Sequence, residues 1–304
     1  MRGLMTPHMA AILVNYNAGV ELREALDSIA RELGSRPWEA VVVDNASSDG
    51  SEAVAERFGP PVRVIRNREN FGFGQGVNQG LAATTAPLVL IMNPDCRLAA
   101  GALTTLEAEL LSHNTCAIIG PRILDPDGTE QGSARGDPDM LTGLFGRTSM
   151  LRRLMPRLSI SRRNVVLAED ETPDASTVVE WVSGACMLAR RDALAAARGF
   201  DPRYFLYWED ADLCRRLRSR GYHIRYEPRA TAVHRVGHSS RIVQSAAIRW
   251  FHESAYTYYA THVAPGPYNP KRWLARLLLA VRCWWRLRQS VGDEPGHVLR
   301  NRQA

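Results

Sequence analysis

A chain of 304 residues that is 45% hydrophobic and 23% charged is ordinary globular material, long enough for one large α/β domain with an elaborated tail and too apolar for disorder. Its formal net charge of +6 sits wholly at one end: from Lys271 onward Lys271, Arg272, Arg276, Arg282, Arg286, Arg288, Arg300 and Arg302 stand against Asp293 and Glu294. The rest is neutral, which excludes a general nucleic-acid-binding surface and predicts a basic tail with its own partner. The cysteines (Cys96, Cys116, Cys186, Cys214, Cys283) are odd in number and form no C-x-x-C pair, which argues against a zinc knuckle or a secreted disulfide framework and for a reducing, cytoplasmic setting. The leader MRGLMTPHM has no apolar core and no uncharged apolar run reaches about 18 residues, so neither secretion nor a membrane span is expected.

The first 125 residues alternate short β-branched runs with helical patterns. AAILVNY precedes ELREALDSIARELG, EAVVVDN precedes SEAVAERFG, VRVIRN precedes a glycine-rich helix, LVLIMNPD precedes LTTLEAELLS, and CAIIGPRILD closes the series. Continuous apolar runs bounded by turn residues are what strands buried on both faces look like, so the alternation predicts a doubly wound, Rossmann-like, mostly parallel sheet. Ligands of such sheets sit at the carboxyl ends of the strands, which here read Asn15, Asp44-Asn45, Asn67 and Asn93-Pro94-Asp95.

From residue 128 to 177 the periodicity fails; this Gly-, Pro-, Ser- and Arg-rich segment, with a basic amphipathic piece from Leu144 to Leu158, is expected to be a mobile functional excursion. Order returns with VVEWVSGACMLARRDAL, a strand and then a helix, followed by GFDPRYF, an acidic helix start, and HIRYEPRATAVHRVGH. The domain division expected is 10–240, with 10–125 as one half and 126–240 as the other, and a helical tail at 241–304.

Several stretches carry candidate chemistry. ENFGFGQGVNQG brings Gly72, Gly74, Gly76 and Gly80, enough backbone freedom to approach a ligand, but it fails the dinucleotide fingerprint because the third place is Val77 or Gln79. Asp95 at a strand tip suits a hard divalent cation that also bridges diphosphate oxygens, and His234 or His238 supplies an imidazole for Mn²⁺. YFLYWEDADLCRRL places Glu209, Asp210 and Asp212 within four positions; helix capping competes there with a catalytic use.

Taken together, VNYN, VVDNASSDGS, NFGFGQGVNQG, MNPD, WVSGACMLARR, GFDPRYFLYWEDADLCRRL and VHRVGHSS resemble, in order and spacing, the family 2 inverting glycosyltransferases of GT-A fold. The likeness spans about 10–241 and is nearest the bacterial branch that includes rhamnosyltransferases acting on polyprenyl-linked glycans. It implies that Asn15, Tyr16, Asp44 and Asn45 hold base and ribose, and that Gly72, Phe73, Asn78 and Asn93 line the same nucleotide pocket. It implies Asp95 and His234 as ligands of Mn²⁺ or Mg²⁺, with Asn93 departing from the family's D-x-D pattern by one charge. Asp210 is implied as the base that deprotonates the acceptor, with Trp181, Gly184, Ala185, Trp208 and Glu209 around the acceptor. The donor implied is a nucleotide-diphosphate sugar, dTDP-rhamnose first, and the acceptor a glycan or polyprenyl-diphosphate-linked glycan of the cell envelope. A non-catalytic nucleotide-sugar-binding protein finds encouragement only in Asn93; a nucleotidylyltransferase would need a glycine-rich phosphate loop after the first strand.

The stretch from Asn269 to Ser290 alternates Trp, Leu and Arg. On a helix Leu274, Leu277, Leu278, Val281 and Trp285 share a face flanked by Lys271, Arg272, Arg282 and Arg286, which suits a helix lying on an anionic membrane surface, peripheral on the inner face. A terminal helix packed on the domain or making a homodimer contact is the other reading.

Overall fold

The computed structural model describes residues 7–137, 175–235 and 244–292. In chain order it runs β1 (Met9–Asn15), α1 (Glu21–Leu33), β2 (Trp38–Asp44), α2 (Ser51–Phe58), β3 (Val62–Arg66), α3 (Phe73–Ala82), β4 (Leu88–Met92), β5 (Cys96–Leu98), α4 (Ala102–Ser112) and β6 (Cys116–Leu124). Then come β7 (Ala134–Arg135), β8 (Thr177–Val179), β9 (Trp181–Val182), β10 (Cys186–Arg190), α5 (Arg191–Ala196), α6 (Glu209–Arg218) and β11 (His223–His234). The tail is α7 (Gln244–Tyr258), a π-helical turn (Tyr259–Val263) and α8 (Pro270–Gly292).

The nine-stranded sheet has the order β3-β2-β1-β4-β10-β6-β11-β5, with β8 also pairing β11. Strands β3, β2, β1 and β4 are parallel, as are β6 and β11, whereas β10, β5 and β8 run antiparallel to their neighbours. This is the mostly parallel sheet the apolar runs predict. Along β1, Met9, Ala11 and Leu13 join the core under α1 and α4, while Ile12 and Val14 join the core under α3 and α6. The period of two thus divides one strand between two hydrophobic layers, and no polar side is needed.

The stretch expected to be one strand before a helix is three short strands, of which β9 pairs with β7 in a separate ribbon. Most of the predicted excursion, including Leu144 to Leu158, and also His238, lie outside the described residues.

In the tail, α8 packs on α7 and buries Ala275 and Leu279, Ala275 in a cluster with Tyr259 and Ala264. Its outer face exposes Trp273 (71%), Leu274, Leu277 (61%), Val281, Trp284 and Trp285. Leu278, expected on that face, is half-buried, because 100° per residue turns it with Ala275 and Leu279 toward the domain. Among the described residues no helix is long and apolar enough to cross a membrane.

Candidate active site

The carboxyl ends of β1 and β2 build one wall. The Asn15 amide nitrogen donates toward Asp44 Oδ1 (2.7 Å), Ser51 Oγ (2.8 Å) and Ser47 Oγ (3.1 Å), and Asp44 Oδ2 accepts from the Ser47 N–H (3.1 Å). Asn15 Oδ1 is buried without a hydrogen-bond partner among the described residues. A buried acceptor left open is costly, about 1–3 kcal/mol, unless a ligand N–H or water reaches it. Tyr16 follows, half-buried.

Two other asparagines of the implied nucleotide pocket are engaged within the protein. Asn45 donates to Asn70 Oδ1 (3.1 Å) and the Gly72 carbonyl (3.0 Å) and accepts from Asn67 Nδ2 (2.8 Å), so it pins the glycine-rich loop to β2. Asn78 donates to the Phe200 carbonyl (2.8 Å) and accepts from the Phe200 N–H (2.9 Å). Both hold loops that border the pocket the resemblance implies.

The glycines serve packing. A Cβ on Gly76 or Gly80 would meet Val14 or Ile12 at 2.8 and 2.5 Å, so their absence lets α3 lie directly on β1. Gly72, at φ +83°, is the position that requires glycine outright: a Cβ there would stand 2.1 Å from the Phe205 carbonyl oxygen, to which the Phe73 N–H donates at 3.0 Å. Phe73 meets Phe200 edge to face, with ring centroids 5.9 Å apart, and touches the space above Gly184.

Beyond β4 a second cluster forms. Asp95 Oδ1 lies 3.2 Å from His234 Nε2, and Asn93 Nδ2 lies 3.3 Å from the same nitrogen, although 141 residues separate Asn93 from His234. Strand β11 brings them together by pairing His234 with Cys96. An oxygen and a nitrogen about 3 Å apart match adjacent corners of an octahedron with ligand distances of about 2.1 Å, the geometry of Mg²⁺ or Mn²⁺ bound by few protein ligands plus phosphate. Among the described residues no group of three or more His, Cys, Asp or Glu could hold a metal, so substrate oxygens would have to complete the shell. The Asn93 N–H also donates to the Ala185 carbonyl (2.9 Å), joining this cluster to the acidic helix's neighbours.

At α6 the three carboxylates separate. Tyr207 and Trp208, both non-glycine residues with φ near +70°, turn the chain sharply into the helix, at a cost of about 1–3 kcal/mol each. Aromatic contacts from α7 brace this elbow: Phe251 meets Tyr207 and Trp208, Trp250 meets Phe205, and Tyr258 meets Trp208. Tyr204, Phe205, Tyr207 and Trp208, the last implied around the acceptor, therefore pack largely on the tail.

Asp210 Oδ2 accepts from the Gly184 N–H (2.9 Å) and Oδ1 from the Ala211 N–H (2.8 Å). Burial raises its proton affinity above the ordinary aspartate value, against the pull of those amides and of Arg135. Glu209, 5% exposed, has Oε2 without a hydrogen-bond partner among the described residues. Burial, and then the charge of Asp210, hold its carboxyl well above the ordinary value, so a proton on Glu209 leaves Asp210 the readier of the two to ionise. Asp212 is fully buried and answers Arg216 (2.6 Å) and His262 (2.7 Å), a structural role.

Comparison with known proteins then decides the family. The profile described as "Glycosyl transferase family 2" matches residues 10–196, more than half of the chain. The chain belongs to glycosyl transferase family 2. This glycosyl transferase is 31% identical, over 94% of its length and 95% of the relative's, to an N-acetylglucosaminyl-diphospho-decaprenol L-rhamnosyltransferase of Mycobacterium tuberculosis. It is 41% identical to the rhamnosyltransferase WbbL of Escherichia coli over 28% of its own length and 33% of the relative's. A Pyrobaculum calidifontis mannosyltransferase solved with GDP-Man and Mn²⁺ superposes with a TM-score of 0.56 at 19% identity, covering 95% of this chain and 74% of that one. GalNAc-T7, solved with UDP, GalNAc and Mn²⁺, gives 0.60 at 16% identity, covering 95% and 58%. These neighbours establish the GT-A fold for this family 2 member.

Two residues of the transferase escaped sequence reasoning. Arg135 stacks over Trp181, 5.0 Å to the ring centroid, and lies close enough to Asp210 to favour its ionised form. Gln131 Oε1 lies 2.9 Å from His234 Nδ1. Both fall where periodicity fails, inside the Gly- and Pro-rich stretch, and the only signal was their polar side chains.

Proposed function

We propose that this family 2 transferase is an inverting enzyme that moves a hexose, L-rhamnose first, from its dTDP donor to a polyprenyl-diphosphate-linked glycan of the cell envelope. The substrate reading rests on the near end-to-end similarity to the decaprenol-linked relative. The inverting reading rests on Asp210, one carboxylate anchored by the Gly184 amide, where the missing side chain lets Phe73 and Asp210 close in. An inverting transfer needs one base and no enzyme nucleophile. The acceptor hydroxyl gives its proton to Asp210 as its oxygen bonds the anomeric carbon, and the bond from that carbon to the diphosphate oxygen breaks with its electron pair leaving on the nucleoside diphosphate. A divalent cation held by Asp95 and His234 would supply positive charge to that leaving group. Asn15 Oδ1, a buried acceptor with no protein donor among the described residues, suits the imide N–H of a thymine or uracil base.

Calorimetric titration of TDP, UDP and GDP with Mn²⁺, Mg²⁺ or EDTA tests the donor half. TDP is expected to bind tightest and to need the metal, and Asp95→Ala to lower its Mn²⁺-dependent affinity by about tenfold or more, at least 1.4 kcal/mol. Equal affinity in EDTA would remove the cation from the reading. Product analysis, free TDP against pyrophosphate, separates transfer from nucleotidyl chemistry.

The outer face of α8 supports a place on the inner surface of the cell membrane. Of the basic residues expected beside its exposed tryptophans and leucines, Lys271 is exposed, whereas Arg272 and Arg282 turn to the Tyr256 and Phe251 rings of α7; Arg276 and Arg288 are exposed as well, each basic residue near an anionic surface contributing about 1 kcal/mol. The protein is expected to co-sediment with vesicles containing anionic lipid, less so at high salt. Leu277→Glu with Trp284→Glu should abolish that while leaving transfer to a water-soluble acceptor intact. Loss of a dimer, rather than of vesicle binding, in light scattering of that variant would assign the face to a second copy of the chain.

A further inference from the structure

Gln131 lies 9% exposed in the turn that follows β6, where Asp125 N–H donates to Thr129 O (2.7 Å), Gly128 N–H to Asp125 O (2.9 Å) and Gln131 N–H to Ile123 O (2.9 Å). Its side-chain nitrogen faces two oxygens, Asp125 Oδ1 and the His234 carbonyl, both at 2.7 Å. A carbonyl and an ionised carboxylate only accept, so the end of the amide turned toward them is the NH₂ group. The opposite end, Oε1, then meets His234 Nδ1 at 2.9 Å. Being an acceptor without a proton, it requires a proton on Nδ1. In the neutral ring Nε2 is left as a lone pair, and Nε2 is the nitrogen 3.2 Å from Asp95 Oδ1. The other tautomer would set an oxygen lone pair against a bare Nδ1.

We infer that Gln131, itself oriented by Asp125, is a positioning residue that fixes His234 as the Nδ1–H tautomer and directs its Nε2 lone pair into the cation site beside Asp95. The inference rests on reading Asp95 and His234 as cation ligands. Its physical content is that a ligating imidazole is oriented by whatever its other nitrogen bonds, and loss of such a partner typically weakens metal binding about 10–100-fold. Asp125 enters because an amide held by one donor bond could rotate; two acceptors on Nε2 hold it in plane.

The test uses the full chain, with Mn²⁺ and TDP as probes. In long-range ¹H–¹⁵N spectra of ¹⁵N-histidine-labelled, cation-free protein above the ordinary histidine range, the His234 ring should carry its proton on Nδ1; a His234→Asn variant identifies the resonance. Gln131→Met, equal in length and without polar atoms, should lose that single tautomer and weaken Mn²⁺ binding in the presence of TDP, read by electron paramagnetic resonance of free Mn²⁺, by about 10–100-fold. Pairing Gln131→Glu with Asp125→Asn restores an acceptor for Nδ1–H and a donor behind it, and should recover most of the affinity. An Nε2–H tautomer in the wild type, or undiminished Mn²⁺ affinity in Gln131→Met, overturns the inference. If Gln131→Met does not fold, the wild-type tautomer and the paired variant decide. A wild type that binds no Mn²⁺ with TDP yet shows Nδ1–H overturns the cation reading of Asp95 and His234 instead, and with it the use assigned to Gln131.

Discussion

Asp210→Asn should lower kcat about 10²–10⁴-fold, the usual worth of a positioned general base, while TDP binds as before. The amide can still accept from the Gly184 N–H, so the backbone around it has little cause to move. What it cannot do is take the acceptor's proton. In the wild type, burial raises the Asp210 proton affinity, so the acidic limb of kcat/KM should lie above the ordinary aspartate value of about 3.9, with activity growing as pH rises and the carboxylate forms. The sign for stability is opposite. A carboxyl whose folded pKa is raised favours the folded state while protonated, and that advantage is lost as pH rises from the unfolded value through the raised one. Asp210→Asn should therefore melt no lower than wild type at neutral pH, and Glu209→Gln, removing the larger upward shift, should melt higher. A variant Asp210→Asn with near-normal turnover would move the base elsewhere.

Two residues along the same helix, Asp212→Ala should do the reverse of Asp210→Asn: it should destabilise the fold first. Asp212 is fully buried, accepts from Arg216 and His262, and lies 3.4 Å from the Tyr204 hydroxyl. Removing it leaves a guanidinium without its counter-ion at the joint of α6 and the tail, and breaking one partner of a buried pair typically costs about 3–5 kcal/mol. Urea denaturation should show that loss as a lower midpoint. Turnover per folded molecule should fall far less than in Asp210→Asn. The two variants thus separate the carboxylate proposed as base from the one that holds the helix.

The parallel half of the sheet was legible because β1, β2 and β4 are uninterrupted apolar runs, and burial on both faces allows little else. The polar strand ends were legible for the same reason, since an Asn or Asp that ends such a run stands at the mouth of the sheet. Long-range pairing was not. Nothing local in Asn78 says that its amide closes on Phe200, 122 residues later, or that Asn45 ties down Gly72. The glycines of ENFGFGQGVNQG read as room for a ligand, yet Gly76 and Gly80 make room for Val14 and Ile12. The three-residue β5 is too short to carry a period. Trp208 is implied beside the acceptor, and only the position of α7 shows that its ring meets Phe251 and Tyr258.

The Gly72–Phe205 contact carries a consequence for how such an enzyme can diverge. The loop that opens α3 and the elbow that opens α6 touch backbone to backbone, with no room for a methyl group between them. The family profile stops at residue 196, before the elbow, and the elbow is braced by α7 beyond it. Elbow, acidic helix and tail therefore form one cassette seated on a fixed seam. A change in this cassette has to keep the carbonyl at the seam in place, and grafting the acidic helix without its tail would bring Asp210 but not the brace that holds the elbow.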